Sequence, residues 1–351
     1  MHVLVATDAW HPQVNGVVRS LQYLTREAEA LGHRVTFLTP DGFPSLPLPS
    51  YPGIRIALCR PSRVARAIEA SGANFIHVAT EGPVGFAARR HCLKAGRPFT
   101  TSYHTKFPEY LRARAPVPLS WSYAWLRRFH NAAAGVMVAT KGLEEDLARR
   151  GFRQLMRWSR GVDAELFRPD VAAALDAKRP IFLTVGRLAV EKNIEAMLRL
   201  DLPGTKVVVG EGPDEARLRA RYPDAHFLGL LEGEALARVY AAADVFVFPS
   251  RTDTFGIVML EAAAAGLPVA AYPVAGPLDV MGQSGCAALD EDLREAALAA
   301  LAIPREACRA FALNHSWRTS TRQFFDNIAR AQASAGFEPA LDGLEAARAG
   351  S

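Results

Sequence analysis

The densest concentration of groups able to do chemistry is the segment Pro249-Ser250-Arg251-Thr252-Asp253-Thr254-Phe255-Gly256-Ile257-Val258-Met259-Leu260-Glu261-Ala262. The apolar run that leads into it reads as a strand, Asp253 falls in the following loop, and a helix begins near Gly256 with Glu261 in its second turn. Carboxylates accept hydrogen bonds from vicinal hydroxyls, while free amides at a helix start and nearby cations hold an anion. The combination suits a polyol that carries phosphate. Taken alone, the segment is also consistent with Asp253 as a helix N-cap and Glu261 as a solvated helix position.

Gly16 offers a second anion site. It follows the first strand and opens a helix, and a phosphate approaching a helix N-terminus needs a residue with no side chain in the way. A plain turn before the helix is the other reading. Asp290-Glu291-Asp292 has carboxylates at a spacing that would take a divalent cation, but it sits beside a helix start and reads as N-cap acids, so no metal site is expected.

Five ordered stretches resemble the family 4 retaining glycosyltransferases. They are the loop Pro12-Gln13-Val14-Asn15-Gly16-Val17; Gly161-Val162-Asp163 with Phe167 and Pro169; Gly186-Arg187-Leu188 with Glu191-Lys192; Gly210-Glu211-Gly212-Pro213; and the acid-x7-acid pair Asp253 and Glu261. The resemblance spans nearly the whole chain and implies the GT-B fold: α/β, with two Rossmann-like domains facing across a cleft. It implies that Arg187 and Lys192 act on the donor diphosphate, that Asp253 contacts the donor sugar and that His104 lies near it. A diphosphate leaving group gathers negative charge as the glycosidic bond breaks, which fixed cations stabilise. The implied donor-binding set is Gly16, Gly186, Glu211, Gly212, Thr254, Phe255, Gly256, Ile257 and Glu261, the last on ribose hydroxyls. No cofactor and no metal ion are implied, because cationic side chains and helix ends take the ion's role. The sequence departs from the family pattern at Asp253, where Glu is usual and one methylene longer, and at Asn15, which replaces the first glycine of the commoner pair.

Between Pro108 and His130 the chain interleaves Tyr110, Trp121, Tyr123, Trp125 and Phe129 with Arg112, Arg114, Arg127 and Arg128. Rings with basic flanks suit a membrane interface, and equally a buried aromatic cluster beneath a basic face. Tyr110, Arg112, Trp121, Trp125, Arg127 and Arg128 are the candidate acceptor and membrane residues. The stretches TDTFG, PxxNGV and YHTxFPEY resemble the subgroup that holds diacylglycerol glycosyltransferases, of sulfoquinovosyl and glucosyl types, and GDP-mannose-dependent mannosyltransferases. The expected reaction is transfer of a hexose or hexuronic acid from a UDP-sugar to a lipid such as diacylglycerol on an anionic membrane surface. A GDP-mannose donor with a lipid or soluble glycan acceptor is the alternative; nucleic-acid binding has no motif behind it.

The elements that must position these groups are legible as apolar, β-branched runs alternating with amphipathic stretches, the pattern of parallel sheets covered by helices. Strands are predicted at 2–6, 34–38, 75–78, 99–102, 135–138, 180–186, 205–209, 245–248 and 268–271. Two strand-turn-helix beginnings, at HVLVA and at PIFLTV, imply two units, and 351 residues exceed what one core supports. The expected division is 1–170, 171–315, a last helix over 316–335 packing back on the first unit, and a tail over 336–351. The net charge of +5 admits nucleic acid, an anionic membrane or a phosphorylated substrate as partner. Four well-separated cysteines read as reduced core thiols, and no run reaches the ~18 apolar residues of a membrane span, so the expected location is cytoplasmic and peripheral on the inner face of the membrane.

Overall fold

The computed structural model describes residues 1–336 apart from residue 14, residues 49–50 and residues 172–174. The expected tail therefore lies outside the described residues from 337 onward. Eight strands belong to the first half: β1 (His2–Ala6), β2 (Arg34–Leu38), β3 (Ser45–Leu48), β4 (Tyr51–Ala57), β5 (Phe75–Val78), β6 (Thr100–Tyr103), β7 (Gly135–Val138) and β8 (Leu155–Arg157). Six follow: β9 (Ile181–Val185), β10 (Thr205–Val209), β11 (His226–Phe227), β12 (Val245–Phe248), β13 (Val269–Ala271) and β14 (Ala287–Leu289). They form two wholly parallel six-stranded sheets, in the orders β2-β1-β5-β6-β7-β8 and β11-β10-β9-β12-β13-β14, with β3 and β4 as a separate antiparallel hairpin. This is the two-Rossmann arrangement of the GT-B fold.

Strands covered by helices on both faces must be apolar on both faces. Accordingly, Val3, Leu4, Val5 and Ala6 of β1 are all buried, as are all four residues of β12. In each sheet the strand order reverses beside one central strand, β1 in the first and β9 in the second. Ligands of open α/β sheets bind outside the carboxyl ends of strands at such switch points. The loops carrying Gly16, Arg187, Lys192 and Asp253 leave the carboxyl ends of β1, β9 and β12, which is why the motifs follow those strands.

The helices of the first half are α1 (Gly16–Ala30), α2 (Pro61–Ala70), α3 (Pro83–Lys94), α4 (Phe107–Arg114), α5 (Leu119–His130) and α6 (Lys141–Arg149). Those of the second are α7 (Ile194–Leu198), α8 (Glu215–Arg221), α9 (Gly233–Ala242), α10 (Ile257–Ala264), α11 (Ala275–Met281), α12 (Leu293–Ala300), α13 (Arg305–Ala312) and α14 (Trp317–Ser334). Asn15 caps α1 by accepting from the amides of Val17 and Val18, both at 3.0 Å. At its other end Gly32 adopts φ +73°, and the His33 and Gly32 amides return to the carbonyls of Ala28 and Glu29, a glycine-terminated helix stop.

Helix α14 leaves the second half and packs on the first sheet, where Phe324, Phe325 and Ile328 share a core with Val3, Val5, Leu21 and Leu24. The Phe324 ring lies 4.8 Å from Trp158 and 5.0 Å from His77. The last helix thus fastens the two halves together. Phe324→Ala is expected to remove about 3–5 kcal/mol of stability, measured as a lower urea midpoint; an unchanged midpoint would show that α14 is not part of the first unit's core.

Candidate active site between the two sheets

The loop after β12 is shaped by Gly256, which holds φ +81° at the N-cap of α10. A Cβ there would come within 2.8 Å of Met259 Cε and 3.0 Å of Phe248 Cζ, so the turn admits only glycine. No side chain caps α10. Asp253 is not an N-cap. Its Oδ1 accepts from Lys192 Nζ at 2.5 Å and from the Tyr110 hydroxyl at 3.4 Å.

Lys192 reaches that point from a single 3-10 turn, Val190–Lys192, beyond β9. Asn193 follows with φ +53°, and its Nδ2 donates to the Pro249 carbonyl at 3.0 Å, which ties the β9 and β12 loops together. The Thr252 hydroxyl donates to the Glu191 carbonyl at 3.3 Å in the same clasp. Burial pushes the Lys192 ammonium down and Arg187 acts the same way, but Asp253 and Tyr110 outweigh them, and the net shift is upward. Lys192 therefore stays a cation beside a second cation, Arg187.

Glu261 is not a solvated helix residue. Its side chain is 4% exposed, with Oε1 accepting from Arg19 Nη1 at 2.5 Å and Oε2 from the Tyr240 hydroxyl at 3.1 Å. Arg19 lies one turn into α1, on the opposite unit. The glutamate beside it raises the guanidinium's affinity for its proton, more strongly than burial lowers it. Nearby, a Cβ on Gly16 would lie 3.6 Å from Ile257 Cδ1, so the starts of α1 and α10 face each other at contact distance. Thr254 Oγ1 donates to the His104 carbonyl at 2.7 Å, a third bond across the cleft.

The turn Gly210 to Pro213 rests on the loop after β9. A Cβ on Gly210 would sit 2.0 Å from the Gly186 carbonyl, and one on Gly212 would sit 2.4 Å from the Leu188 carbonyl. The Leu188 amide donates to the Glu211 carbonyl at 3.0 Å, and the Gly210 amide donates to that of Gly229 at 2.8 Å. Nothing lies within 4 Å of a Cβ built on Gly186, which opens this floor to a ligand. Glu211 is exposed on its rim.

The structure brings Arg187, Lys192, Asp253, Thr254, Gly256, Ile257, Glu261, Gly16 and His104 to one cleft. Two expectations are revised. Phe255 packs its ring in the core of the second unit. Tyr110 belongs to the cleft through Asp253 rather than to an exposed aromatic face, because α4 turns it inward. Within α5 the rings divide: Tyr123 and Phe129 are buried, whereas Trp121 and Trp125 are 72% and 46% exposed, alongside exposed Arg127 and Arg128. Arg112 of α4 is also exposed. Asp292 caps α12, accepting from the amides of Arg294 and Glu295, and among the described residues no group of three or more acidic, histidine or cysteine side chains is placed to hold a metal ion. Sequence reading missed Arg19, Tyr240 and Arg160. For Arg19 the signal was its place one turn beyond Gly16, on the helix face that meets the cleft; nothing local marks Tyr240.

Residues 14–166 match the family described as Glycosyltransferase Family 4, and residues 179–303 match that described as Glycosyl transferases group 1. A GDP-mannose-dependent alpha-mannosyltransferase of Mycobacterium tuberculosis is 30% identical over 80% of this chain and 81% of its own length. The chain belongs to glycosyltransferase family 4. Other relatives are the sulfoquinovosyl transferase SQD2 of Arabidopsis thaliana, 29% identical over 76% of this chain and 58% of that protein, and the alpha-monoglucosyldiacylglycerol synthase of Streptococcus pneumoniae, 26% identical over 78% and 71%. Anabaena HepE, solved with UDP and glucose, superposes with a TM-score of 0.71 at 17% identity, covering 94% of this chain and 100% of that one, which shows the shared GT-B fold. As a family 4 member this chain is a hexosyltransferase that draws on a nucleotide-sugar donor.

Gly256→Ala, the smallest side chain that violates the turn, is expected to cost about 1–3 kcal/mol through the left-handed backbone alone. It should also lower sugar transfer at least about tenfold by displacing Asp253 and the α10 start; wild-type turnover in the folded variant would show that this loop does not bear on catalysis.

Proposed function

We propose that this family 4 enzyme transfers a hexose with retention of anomeric configuration, without a metal ion, from a nucleotide sugar to a hydroxyl of a membrane lipid such as diacylglycerol. The carrying observation is the pair of neighbouring cations, Arg187 and Lys192, at the carboxyl end of β9, opposite the α1 start. Diphosphate seats on these cations and on the uncapped start of α10, which together do what a divalent ion would do. Asp253, 2.5 Å from Lys192, then releases the ammonium to the phosphate and accepts hydroxyls of the sugar. Glu261 sits in the second turn of α10, at reach for ribose hydroxyls, with Arg19 and Tyr240 holding its carboxylate.

The acceptor hydroxyl approaches the face from which diphosphate departs. Its oxygen bonds to the anomeric carbon as the bond from that carbon to phosphate breaks, and a departing phosphate oxygen takes its proton. No nucleophile from the protein is needed. Positioning across the two units supplies the orientation on which this route depends.

The relatives named for GDP-mannose, which include the 30% identical mycobacterial protein, favour GDP-mannose as donor. The relative named as a diacylglycerol glucosylating enzyme favours the second reading, a UDP-hexose. A panel of GDP-mannose, UDP-glucose, UDP-galactose and UDP-glucuronate with diacylglycerol, read by mass spectrometry and by the anomeric coupling of the product, decides between them. Arg187→Ala should lower kcat/KM about 10²–10³-fold, and chelation should leave wild-type turnover unchanged. Unchanged turnover in the variant, or an inverted product, would contradict the reading.

The lipid side rests on Trp121 and Trp125, exposed on α5, with exposed Phe107 6.5 Å from Trp125. A cavity of about 500 Å³ adjoins them, with Phe86 and Leu93 in its wall and Arg89, Arg90 and Lys94 around it; Phe86 lies 5.2 Å from Trp125. Apolar rings within a basic rim suit the headgroup depth of an anionic membrane, which we take to be the cytoplasmic face. Among the described residues no helix is long and apolar enough to cross it. Replacing Trp121 and Trp125 together by Ser should abolish co-flotation with anionic vesicles while leaving KM for the donor unchanged; undiminished flotation would move the lipid surface elsewhere.

A further inference from the structure

Arg160, just beyond β8, is 5% exposed. Burial pushes its guanidinium down to about 9, with no carboxylate opposing the shift, yet it remains a cation at neutral pH. Its Nη1 donates to the carbonyls of Trp158 at 2.6 Å and Ser159 at 3.0 Å, and the guanidinium lies 4.2 Å from the centre of the Trp158 ring. These contacts fix the fork, and its Nη2 points at His104 Nδ1, 3.1 Å away. A guanidinium can only donate, so Nδ1 must be the bare acceptor nitrogen, and in the neutral ring the proton sits on Nε2. That Nε2 is buried and has no hydrogen-bond partner within the protein. Through its backbone carbonyl His104 is bonded to Thr254, the neighbour of Asp253, so the residue itself stands beside the sugar end of the cleft.

We propose that Arg160 is a positioning residue that locks His104 as the Nε2–H tautomer, and that this N–H is donated to an oxygen of the bound hexose. This rests on the donor-site reading above. The groups around the imidazole agree with a neutral ring. Burial, then Arg160, His77 and His130, all press the His104 pKa well below the ordinary value. His77 bonds to Thr100 and Ser102, and His130 to Thr101 and Glu81, so Glu81 is the carboxylate among these partners and it is engaged by His130. Protonating His104 would set a second N–H against the Arg160 fork.

The direct test is long-range proton–nitrogen correlation spectroscopy on the full chain labelled with ¹⁵N-histidine, from pH 8 to 5, with His104 assigned by His104→Gln. The expected result is a pyridine-type Nδ1 and a protonated Nε2 that persist across the range. A proton on Nδ1, or titration near 6.5, would overturn the proposal without any Arg160 variant having to fold. In Arg160→Gln one source of the downward shift is gone, so the acid limb of kcat/KM should move toward higher pH, with kcat falling about tenfold or more and Arg160→Lys retaining an intermediate value. A pH profile and kcat equal to wild type would refute it. Calorimetry with GDP and UDP on the same samples separates the two readings: no nucleotide binding by wild type sinks the donor site, whereas binding with the proton on Nδ1 sinks the role of Arg160 alone.

Discussion

Glu261 is a carboxylate enclosed almost completely by protein, and such a group survives only where charge and hydrogen bonds replace its lost hydration. Tyr240 provides a hydrogen bond from its own unit, and Arg19 provides the charge from the other. Separating the units would strand a buried anion, so α1 is held against α10 by the same carboxylate that the donor reading assigns to ribose. Thr254 and Tyr110 repeat the pattern on a smaller scale, each bonding across the cleft beside a group the chemistry needs. Interdomain geometry and site geometry are thus the same set of contacts, supported from behind by α14 crossing to the first sheet.

The neighbouring cations follow from this frame. Two like charges next to one another repel, and Asp253 holds Lys192 in place against the effect of Arg187. The clasp between the β9 and β12 loops, closed by Asn193 on Pro249, prevents Lys192 from moving away. What relieves the repulsion further is an anion with more than one negative charge. A nucleoside diphosphate satisfies that requirement; Gly186 leaves open the floor on which its nucleoside end would rest, and Gly210 and Gly212 let the next turn lie directly against the β9 loop.

Much of this was legible in sequence because parallel sheets write their strands as uninterrupted apolar runs. β1, β2, β5, β7, β10 and β12 fall where the β-branched clusters place them. The strands that escaped notice have other physics. β11 is two residues long, β14 is mostly alanine, and the β3–β4 hairpin carries Pro47 and Pro52, which disguise a strand pattern. In the cleft, residues tied to a turn or a helix start, such as Gly16, Gly256 and Asp253, left a local signature. Arg160 and Tyr240 left none, because their meaning comes from partners 56 and 21 positions away. The aromatic segment was ambiguous for the same reason: only packing tells that Tyr123 and Phe129 turn inward while Trp121 and Trp125 do not.

The central claim is that a diphosphate is gripped where Lys192 and Arg187 converge. Titration calorimetry comparing a nucleoside diphosphate with its monophosphate, GDP with GMP and UDP with UMP, on wild type and Lys192→Ala isolates that grip from recognition of base and ribose. The account predicts that one diphosphate binds wild type at least about tenfold more tightly than its monophosphate, a gap of about 1.4 kcal/mol, and that the gap collapses in the variant while monophosphate affinity is retained. A gap of equal size in both proteins would contradict it.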